Sequence, residues 1–309
     1  MEKFVLFINK GSGIDLLKLL IKNNIYPELV LTQTPYDSIV QGSGIKKLFI
    51  NIKYLLSITV KRKIYRKTFD VYYFCRKNKI EVISDRFTNH KYLIEKCRQL
   101  DINLGIIFTY RKILKKEIIN SLTHGIINYH PSLLPRHRGI DPFFWTIYNE
   151  EEYSGITFHF IVEKIDKGAI LFQKKYKIKD NESVTSLYKE LLKMGEDEIL
   201  YYLQNGKFSE AYVQNENEKI DESIEKAVPE EFFQINENMN SDKIRKLFKA
   251  IFFTFEPYIL VNNEKIKFSK YEIISENNET IPGNIFILKR DNSYFKIKTS
   301  DNKIIKLFK

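Results

Sequence analysis

The sequence predicts an α/β fold in which a mostly parallel sheet forms a first domain and a small, mainly β domain lies at the C-terminus. Two observations favour this class. Up to about residue 120, short runs rich in Val, Ile and Phe alternate with stretches of helical spacing, which is typical of a parallel sheet with right-handed crossovers. From about residue 241 onward, short alternating runs are separated by polar turns, which predicts β structure. The first domain is therefore expected to be Rossmann-like.

The chain opens with the order strand, glycine turn, helix that begins an α/β unit. Lys3–Asn9 is a compact apolar run and predicts the first strand, and an amphipathic stretch beginning at Ile14 predicts the first helix. Tyr26–Thr34 predicts the next strand. Residues 35–67 carry lysine-rich patches and fit neither period, so they are treated as an irregular insertion of undetermined role.

Helical spacing returns in Asp70–Asn78 and Asn89–Leu100, and Leu104–Thr109 predicts a buried strand. The segment from His124 to Trp145 is rich in Pro and His, a composition that suits a regular helix poorly. We predict that this segment is a shaped loop at the carboxyl edge of the sheet, where α/β folds place their sites.

The next elements complete the first domain. Ser154–Glu163 and Ala169–Ile178 predict two strands joined by a turn, and Val184–Leu203 predicts a long helix. The first domain is therefore expected to span residues 1–206. Residues 207–234 are polar and acidic, which predicts a linker.

Residues 235–309 predict the small C-terminal domain. It is expected to begin with a helix that runs from an N-cap at Ser241 to Phe253. Its strands are predicted at Lys265–Phe268, Tyr271–Ile274, Asn284–Leu288, Tyr294–Ile297 and Lys303–Phe308. A turn is predicted at Pro282-Gly283.

Composition narrows the classes of protein. With 43% hydrophobic and 14% aromatic residues, the chain can bury a core, which excludes disorder as its main state. The formal net charge is +11, but only 10 of the 50 basic residues are Arg, the residue favoured for bidentate contacts to phosphates and bases. The lysines are scattered, which favours a solvated surface over a polyanion-binding patch, although a nucleotide-linked substrate would also suit a basic protein.

The sequence predicts a protein of a reducing compartment that does not associate with a membrane. No run of about 18 apolar residues occurs, so neither a membrane-spanning segment nor a membrane partner is predicted. The N-terminal apolar run is too short for a secretory signal. Cys75 and Cys97 lie in no Cys-x-x-Cys or Cys/His pattern, so neither a disulfide framework nor a structural zinc is expected. The expected location is the cytoplasm.

One stretch carries a recognisable signature. Asn128–Pro135, with the sequence Asn-Tyr-His-Pro-Ser-Leu-Leu-Pro, resembles the signature of the N10-formyltetrahydrofolate-dependent formyltransferases. Gly155–Gln173 resembles the hairpin of that superfamily, which carries an Asp just before a Gly, and Phe108–Leu114 resembles its folate-contacting segment. The resemblance is specific over about residues 100–206 and weak over about residues 1–35. Further matching residues, in order, are Arg138, Gly139, Pro142 and Trp145.

The resemblance implies a cosubstrate and a set of site residues. The cosubstrate is N10-formyltetrahydrofolate, no metal is implied, and the catalytic residues are Asn128, His130 and Asp166. The residues implied to contact the folate are Tyr110, Arg111, Lys112, Ile113 and Leu114.

The three catalytic candidates also suit this chemistry as residue types. Formyl transfer to a primary amine passes through a tetrahedral oxyanion, which needs hydrogen-bond donors and a path for protons. Asn128 offers an amide N–H and protonated His130 a charged N–H, while the carboxylate of Asp166 can stabilise that charge and accept the proton of the amine. The alternative interpretation makes His130 an ordinary loop histidine and Asp166 a turn residue.

Other marked residues keep two interpretations. Gly11, Ser12 and Gly13 form either a plain tight turn or a loop whose backbone N–H groups contact a substrate phosphate at the helix N-terminus. His159 is either a supporting residue of the site or a buried structural histidine. His124 and His137 are expected at the surface or in loops, and the spacings of the histidines predict no metal site.

The resemblance specifies the donor better than the acceptor. It favours a dTDP- or UDP-linked amino sugar, for surface polysaccharide biosynthesis, because the chain resembles the sugar N-formyltransferases in length and in a C-terminal helix followed by small β elements. Methionyl-tRNA formyltransferase is the alternative: the layout and basic charge suit it, but Phe7–Leu20 departs from its Gly-Thr-Pro-x-Phe start and the tail is poor in Arg. Nucleic acid is therefore not the expected partner.

Three further alternatives stay open. They are transfer to another amine, hydrolysis of formyl-folate, and a non-enzymatic folate-binding module. A homodimer formed through the apolar C-terminal strands also stays open.

Overall fold

The computed structural model describes residues 2–9, 11–32, 71–72, 74–85, 89–206, 211–214, 225–251, 256–274, 287–291 and 293–309. The insertion predicted at residues 35–67 and the turn predicted at Pro282-Gly283 lie outside them. Among the described residues, no helix combines the length and the apolar character needed to cross a bilayer.

The larger sheet has seven strands within the described residues, in the spatial order β3-β2-β1-β4-β5-β6-β7. The first five strands in this order pair in parallel, and β6 runs antiparallel to β5. The prediction of a mostly parallel, Rossmann-like sheet is confirmed. The strands are β1 (Phe4–Ile8), β2 (Leu29–Thr32), β3 (Glu81–Ser84), β4 (Leu104–Phe108), β5 (Ile126–His130), β6 (Tyr153–Phe160) and β7 (Ile170–Lys177).

Helices alternate with these strands along the first half of the chain. Residues 71–72 and 74–77 are helical, as the spacing of Asp70–Asn78 predicts. The helices with full bounds are α1 (Gly13–Lys22), α2 (His90–Gln99), α3 (Lys116–Ile119), α4 (Pro142–Tyr148), α5 (Val184–Asn205) and α6 (Ser241–Lys249).

The core of this region forms where the sheet meets its helices. Every residue of β1 and β4 is buried, because central parallel strands are covered on both faces. Ile14, Leu16, Leu17 and Leu20 of α1 recur at helical spacing and are buried, which explains why the amphipathic pattern after the glycine turn predicts this helix correctly.

The segment from His124 to Trp145 differs from its prediction as a loop. It opens with β5, because Ile126 and Ile127 pair with β4 in the middle of the sheet. It closes with α4, in which Pro142 occupies the first turn, where its missing N–H costs no hydrogen bond. Only the part between these two elements is irregular.

The C-terminal strands form two small antiparallel sheets among the described residues. One has the order β10-β13-β12-β11, and the other pairs β8 with β9. This confirms the prediction of a small β region. Its strands are β8 (Tyr258–Val261), β9 (Glu264–Lys267), β10 (Lys270–Ile274), β11 (Ile287–Arg290), β12 (Tyr294–Lys298) and β13 (Ile304–Phe308).

The helix α6 corrects two details. Its N-cap is Asn240, whose side chain accepts a hydrogen bond of 2.8 Å from the backbone N–H of Lys243, and not Ser241. The hydroxyl of Ser241 instead donates to Asp301 at 2.6 Å. The helix ends at Lys249, before the predicted end at Phe253.

The chain divides into two compact units. The first contains Met1–His130, Ile156–Lys174 and Leu192–Ile220, and the second contains the remaining segments. The predicted boundaries of 1–206, 207–234 and 235–309 stay a prediction. Within 207–234, residues 211–214 belong to the first unit, where Tyr212 exchanges two backbone hydrogen bonds with Ile170.

Candidate active site

The predicted site segments meet at one edge of the sheet in the first unit. Gly11–Gly13 follows the carboxyl end of β1, Tyr110–Leu114 follows that of β4, and Asn128 and His130 lie at that of β5. These three strands are neighbours and parallel. From β1 the chain continues to one side of the sheet and from β4 to the other, and such a switch point is where open α/β sheets bind ligands.

The pairing of β5 with β6 brings two histidines beside the amide of Asn128. Asn128 lies opposite His159, and His130 lies opposite Thr157. The Nδ2 atom of Asn128 lies 3.0 Å from Nε2 of His159, and Nδ1 of His159 lies 2.9 Å from the carbonyl oxygen of Phe160. Because a carbonyl can only accept, Nδ1 of His159 carries the proton and its Nε2 accepts from Asn128.

Asp166 completes this group. Its Oδ2 lies 3.6 Å from Nδ1 of His130, and its Oδ1 lies 3.5 Å from Nε2 of His159. The side chains of His130 and Asp166 are only 5% and 11% exposed, so their electrostatic interaction is weakly screened by water. The structure therefore brings together all three predicted catalytic residues and adds His159, which contacts both Asn128 and Asp166.

The turn that carries Asp166 depends on close approach to β6. Asp166 has a φ of +49°, an uncommon backbone conformation for a residue with a side chain. Two residues later, a Cβ on Gly168 would lie 1.7 Å from the carbonyl oxygen of Phe160. Glycine is therefore required at position 168 to place the turn, and with it the carboxylate, against the strand.

The segment after β4 is held by a buried carboxylate. The Nζ atom of Lys112 lies 3.1 Å from Oδ1 of Asp85, whose side chain is 1% exposed, and also donates to the Asp85 carbonyl at 3.3 Å. Tyr110 packs on Phe7, and burial, reinforced by Asp85, raises the pKa of Tyr110. Of the other predicted folate contacts, Leu114 packs against the core, whereas Arg111 and Ile113 are exposed.

The glycine segment after β1 forms a turn around one side chain. The Oδ1 atom of Asn9 accepts hydrogen bonds from the N–H groups of Gly11 at 2.9 Å and Gly13 at 3.4 Å, and from the Ser12 hydroxyl at 3.3 Å. A Cβ on Gly13 would lie 2.4 Å from Cβ of Ile8. These contacts favour the tight-turn interpretation, and contact with a substrate phosphate stays a prediction.

The two remaining histidines of this region lie in other surroundings. His124 is half exposed and contacts Glu2 at 3.1 Å, as expected for a surface residue. His137 lies in the irregular segment between β5 and α4, as expected for a loop residue, but its side chain is only 9% exposed and contacts Glu151 at 2.7 Å and Glu225 at 3.3 Å. Within the described part of the chain, no three His, Cys, Asp or Glu side chains are arranged so that they could hold a metal ion.

Two residues of this site were missed at the sequence level. Asp85 follows β3, a short half-buried strand that was itself missed. Gln214 lies in the predicted linker, and its side chain donates to the turn that holds Asp166. An acidic residue after a recognised strand could have suggested Asp85, whereas a single Gln in a polar stretch gives no local signal.

Comparisons with known proteins point to one family. A family described as formyl transferase matches residues 61–202, which include the ends of β4 and β5 and the turn with Asp166. The methionyl-tRNA formyltransferase of Clostridium tetani is 31% identical over 213 residues, which cover 69% of this chain and 67% of that protein.

Two solved structures share the fold. The N-formyltransferase from Helicobacter canadensis, in complex with folinic acid and dTDP-3-aminofucose, has a TM-score of 0.63 at 21% identity, with coverage of 100% of this chain and 99% of that chain. WlaRD, a sugar 3N-formyl transferase crystallised with dTDP and 5-N-formyl-THF, has a TM-score of 0.61 at 20% identity, with coverage of 100% and 97%. At these identities the two structures establish the fold alone.

The resemblance expected from Asn128–Pro135 is thus confirmed by independent comparison, while the roles of single residues stay predictions. The family match, the 31% identity to a formyltransferase over two thirds of its length and the shared fold lead to one conclusion: this chain belongs to the formyl transferase family.

Proposed function

We propose that this protein transfers the formyl group of N10-formyltetrahydrofolate to the primary amine of a dTDP- or UDP-linked amino sugar, a building block of surface polysaccharide. The observation that carries the proposal is the meeting of Asn128, His130 and Asp166 at the carboxyl edge of the sheet, next to the segment Tyr110–Leu114. A member of the formyl transferase family with this group has the donors and the proton acceptor that the reaction needs.

The reaction begins when the lone pair of the amine attacks the formyl carbon and the carbonyl electrons move to oxygen. The Asn128 amide has two N–H donors, of which one binds His159, so the other can donate to this oxyanion. Protonated His130 donates a second, charged hydrogen bond, and the carboxylate of Asp166 stabilises the imidazolium.

Proton transfer then completes the exchange. Asp166, directly or through one water, accepts the proton that the attacking amine loses. The oxyanion collapses, the bond between the formyl carbon and N10 breaks, and N10 takes up a proton. The products are the N-formylated amine and tetrahydrofolate, so one proton moves from the amine to N10 and no redox step occurs.

Two observations support the sugar acceptor. The structural likeness to the two N-formyltransferases, one crystallised with dTDP and the other with dTDP-3-aminofucose, extends over the whole chain. The tail also holds only two Arg residues, and Arg245 is engaged by Glu150 and Asp242 at 2.6 Å each. Few guanidinium groups are therefore left for contacts with RNA phosphates.

Methionyl-tRNA formylation is the second candidate, because the 31% identical relative carries that name. An acceptor panel separates the candidates. The purified protein is incubated with N10-formyltetrahydrofolate and a dTDP-linked amino sugar, a UDP-linked amino sugar or initiator methionyl-tRNA, and the products are identified by mass spectrometry. Formylation of an amino sugar, with tetrahydrofolate formed only when the acceptor is present, supports the proposal.

Efficient formylation of methionyl-tRNA and of no amino sugar overturns the choice of acceptor. Rapid release of formate in the absence of any acceptor overturns the transferase itself and favours a hydrolase. Asp166→Asn serves as the matched control, because it preserves the shape of the side chain and removes its charge.

A further inference from the structure

Gln214 belongs to the predicted linker but lies against the turn that carries Asp166. The four described residues 211–214 lie beside β7, where Tyr212 accepts a backbone hydrogen bond of 2.8 Å from Ile170 and donates one of 2.9 Å to it. This pairing fixes the course of the chain next to the turn that carries Asp166. Gln214 is 4% exposed, although its sequence surroundings are polar.

The Gln214 amide bridges two carbonyl oxygens of that turn. Its Nε2 donates to the carbonyl of Asp166 at 2.7 Å and to the carbonyl of Gly168 at 2.8 Å. An amide nitrogen carries two hydrogens, one for each carbonyl, so the side-chain type matches its partners. Among uncharged side chains of this length, only an amide offers two donors on one atom.

The turn needs such support. Asp166 holds a positive φ of +49°, which is unfavourable for a residue with a Cβ and persists only when its surroundings fix it. The contacts of its carboxylate with His130 and His159, at 3.6 Å and 3.5 Å, depend on that backbone conformation. A shift of the turn would change both distances together.

We propose that Gln214 is a positioning residue for the transfer reaction: by bridging the carbonyls of Asp166 and Gly168, it holds the Asp166 carboxylate beside His130. The inference rests on the proposed function, since it assigns Gln214 an action through Asp166. It also makes Gln214 part of the active-site architecture, although this residue lies 46 to 48 positions from the turn in sequence.

The test is a double-mutant cycle between Gln214→Met and Asp166→Asn in the full-length protein. Methionine keeps the length of the side chain and removes both N–H donors. We expect Gln214→Met to lower kcat by about 10- to 100-fold, because misplacement of a catalytic group by about 1 Å has an effect of this size. The KM values for donor and acceptor should stay within about twofold, since a residue that acts through Asp166 affects the chemical step and not the binding of donor or acceptor.

In the Asp166→Asn background, the same change should lower kcat by less than about threefold, because a residue that acts through a carboxylate loses its effect when the carboxylate is gone. Val213→Ala is the matched control: Val213 is the neighbouring residue, its side chain is 84% exposed, and the kcat of this variant should equal that of the wild type. Binding of 5-formyltetrahydrofolate, measured by calorimetry, checks that each variant is folded.

Two outcomes overturn the inference. One is an equal fold-loss from Gln214→Met in the wild-type and Asp166→Asn backgrounds, and the other is a wild-type kcat in folded Gln214→Met. Gln214→Asn is measured in parallel in case Gln214→Met does not fold. The asparagine amide is shorter and cannot bridge both carbonyls, so a wild-type kcat in Gln214→Asn also contradicts the inference. If Asp166→Asn itself keeps full activity, the proposed function fails instead, and the two failures are thereby distinguished.

Discussion

Gly168→Ala tests whether the approach of the turn to β6 positions the catalytic carboxylate. A Cβ at this position would lie 1.7 Å from the carbonyl oxygen of Phe160, and ordinary contact begins at 3.4 Å, so the turn must move by about 1.7 Å, the difference between the two. Such a shift disrupts two hydrogen bonds: that from the Phe160 N–H to Ala169, at 2.9 Å, and that from Gln214 to residue 168, at 2.8 Å.

The expected losses follow from these contacts. The two hydrogen bonds contribute about 1 kcal/mol each to the free energy of unfolding, and the steric strain adds about 1–3 kcal/mol. Gly168→Ala should therefore lower the unfolding free energy by about 3–5 kcal/mol. Because Asp166 moves with the turn, kcat should fall by about 100-fold.

The assay combines urea denaturation, followed by circular dichroism, with steady-state kinetics of tetrahydrofolate formation. Gly206→Ala is the matched control, since no atom of the described residues lies within 4 Å of the place its methyl group would take, and its φ of +68° costs an alanine only about 1–2 kcal/mol. Its kcat should be unchanged. If Gly168→Ala shows the urea midpoint of Gly206→Ala and a wild-type kcat, the close approach to β6 does not position Asp166.

Three further predictions concern other parts of the protein. Asn128→Ala should lower kcat by about 10²–10³, the usual loss for one oxyanion donor, with little change in KM in initial-rate kinetics; a wild-type kcat would exclude this donor. Lys112→Met leaves the buried carboxylate of Asp85 without this cation and should raise the KM for N10-formyltetrahydrofolate about tenfold at constant kcat. An unchanged KM would mean that the segment Tyr110–Leu114 does not contact the folate. The hydrogen bonds of Arg245 lower the pKa of Glu150 to about 2. This interaction therefore stabilises the folded protein above about pH 4.5, by about 1–2 kcal/mol after allowance for solvent screening, and the stabilisation is lost as the pH falls toward 2. Urea unfolding at several pH values should show this loss in the wild type and not in Glu150→Gln.

Local sequence patterns were sufficient for the elements that are periodic and continuous. The strand, turn and helix over Phe4–Lys22 follow from an apolar run, two glycines and helical spacing, and all three are observed. The strand β5 was not predicted, because it has only five residues between Gly125 and the proline-rich stretch, and the prolines indicated a loop. The spacing of two places Asn128 and His130 on one face of this strand, but their partners His159 and Asp166 come from other segments.

Contacts between distant segments could not be predicted from the sequence. Asp85 lies 27 positions before Lys112, and Gln214 lies 48 positions after Asp166, so neither pairing leaves a local pattern. Asp85 follows a strand that the pattern did not reveal, and Gln214 lies in a stretch whose polarity predicts a linker. Both residues owe their roles to burial, because a buried polar side chain forms strong hydrogen bonds or ion pairs in one fixed geometry.

The kcat values of four proteins show whether His130 and Asp166 act as one catalytic unit in formyl transfer: wild type, His130→Ala, Asp166→Asn and the double variant. Acceptor-dependent formation of tetrahydrofolate is the measured rate. If they do, kcat falls by about 10²–10³ in His130→Ala and by at least as much in Asp166→Asn, and the double variant is far more active than the product of the two losses implies. Strictly multiplicative losses, or a near-normal kcat in Asp166→Asn, would show that Asp166 supports only its turn and takes no part in the chemistry.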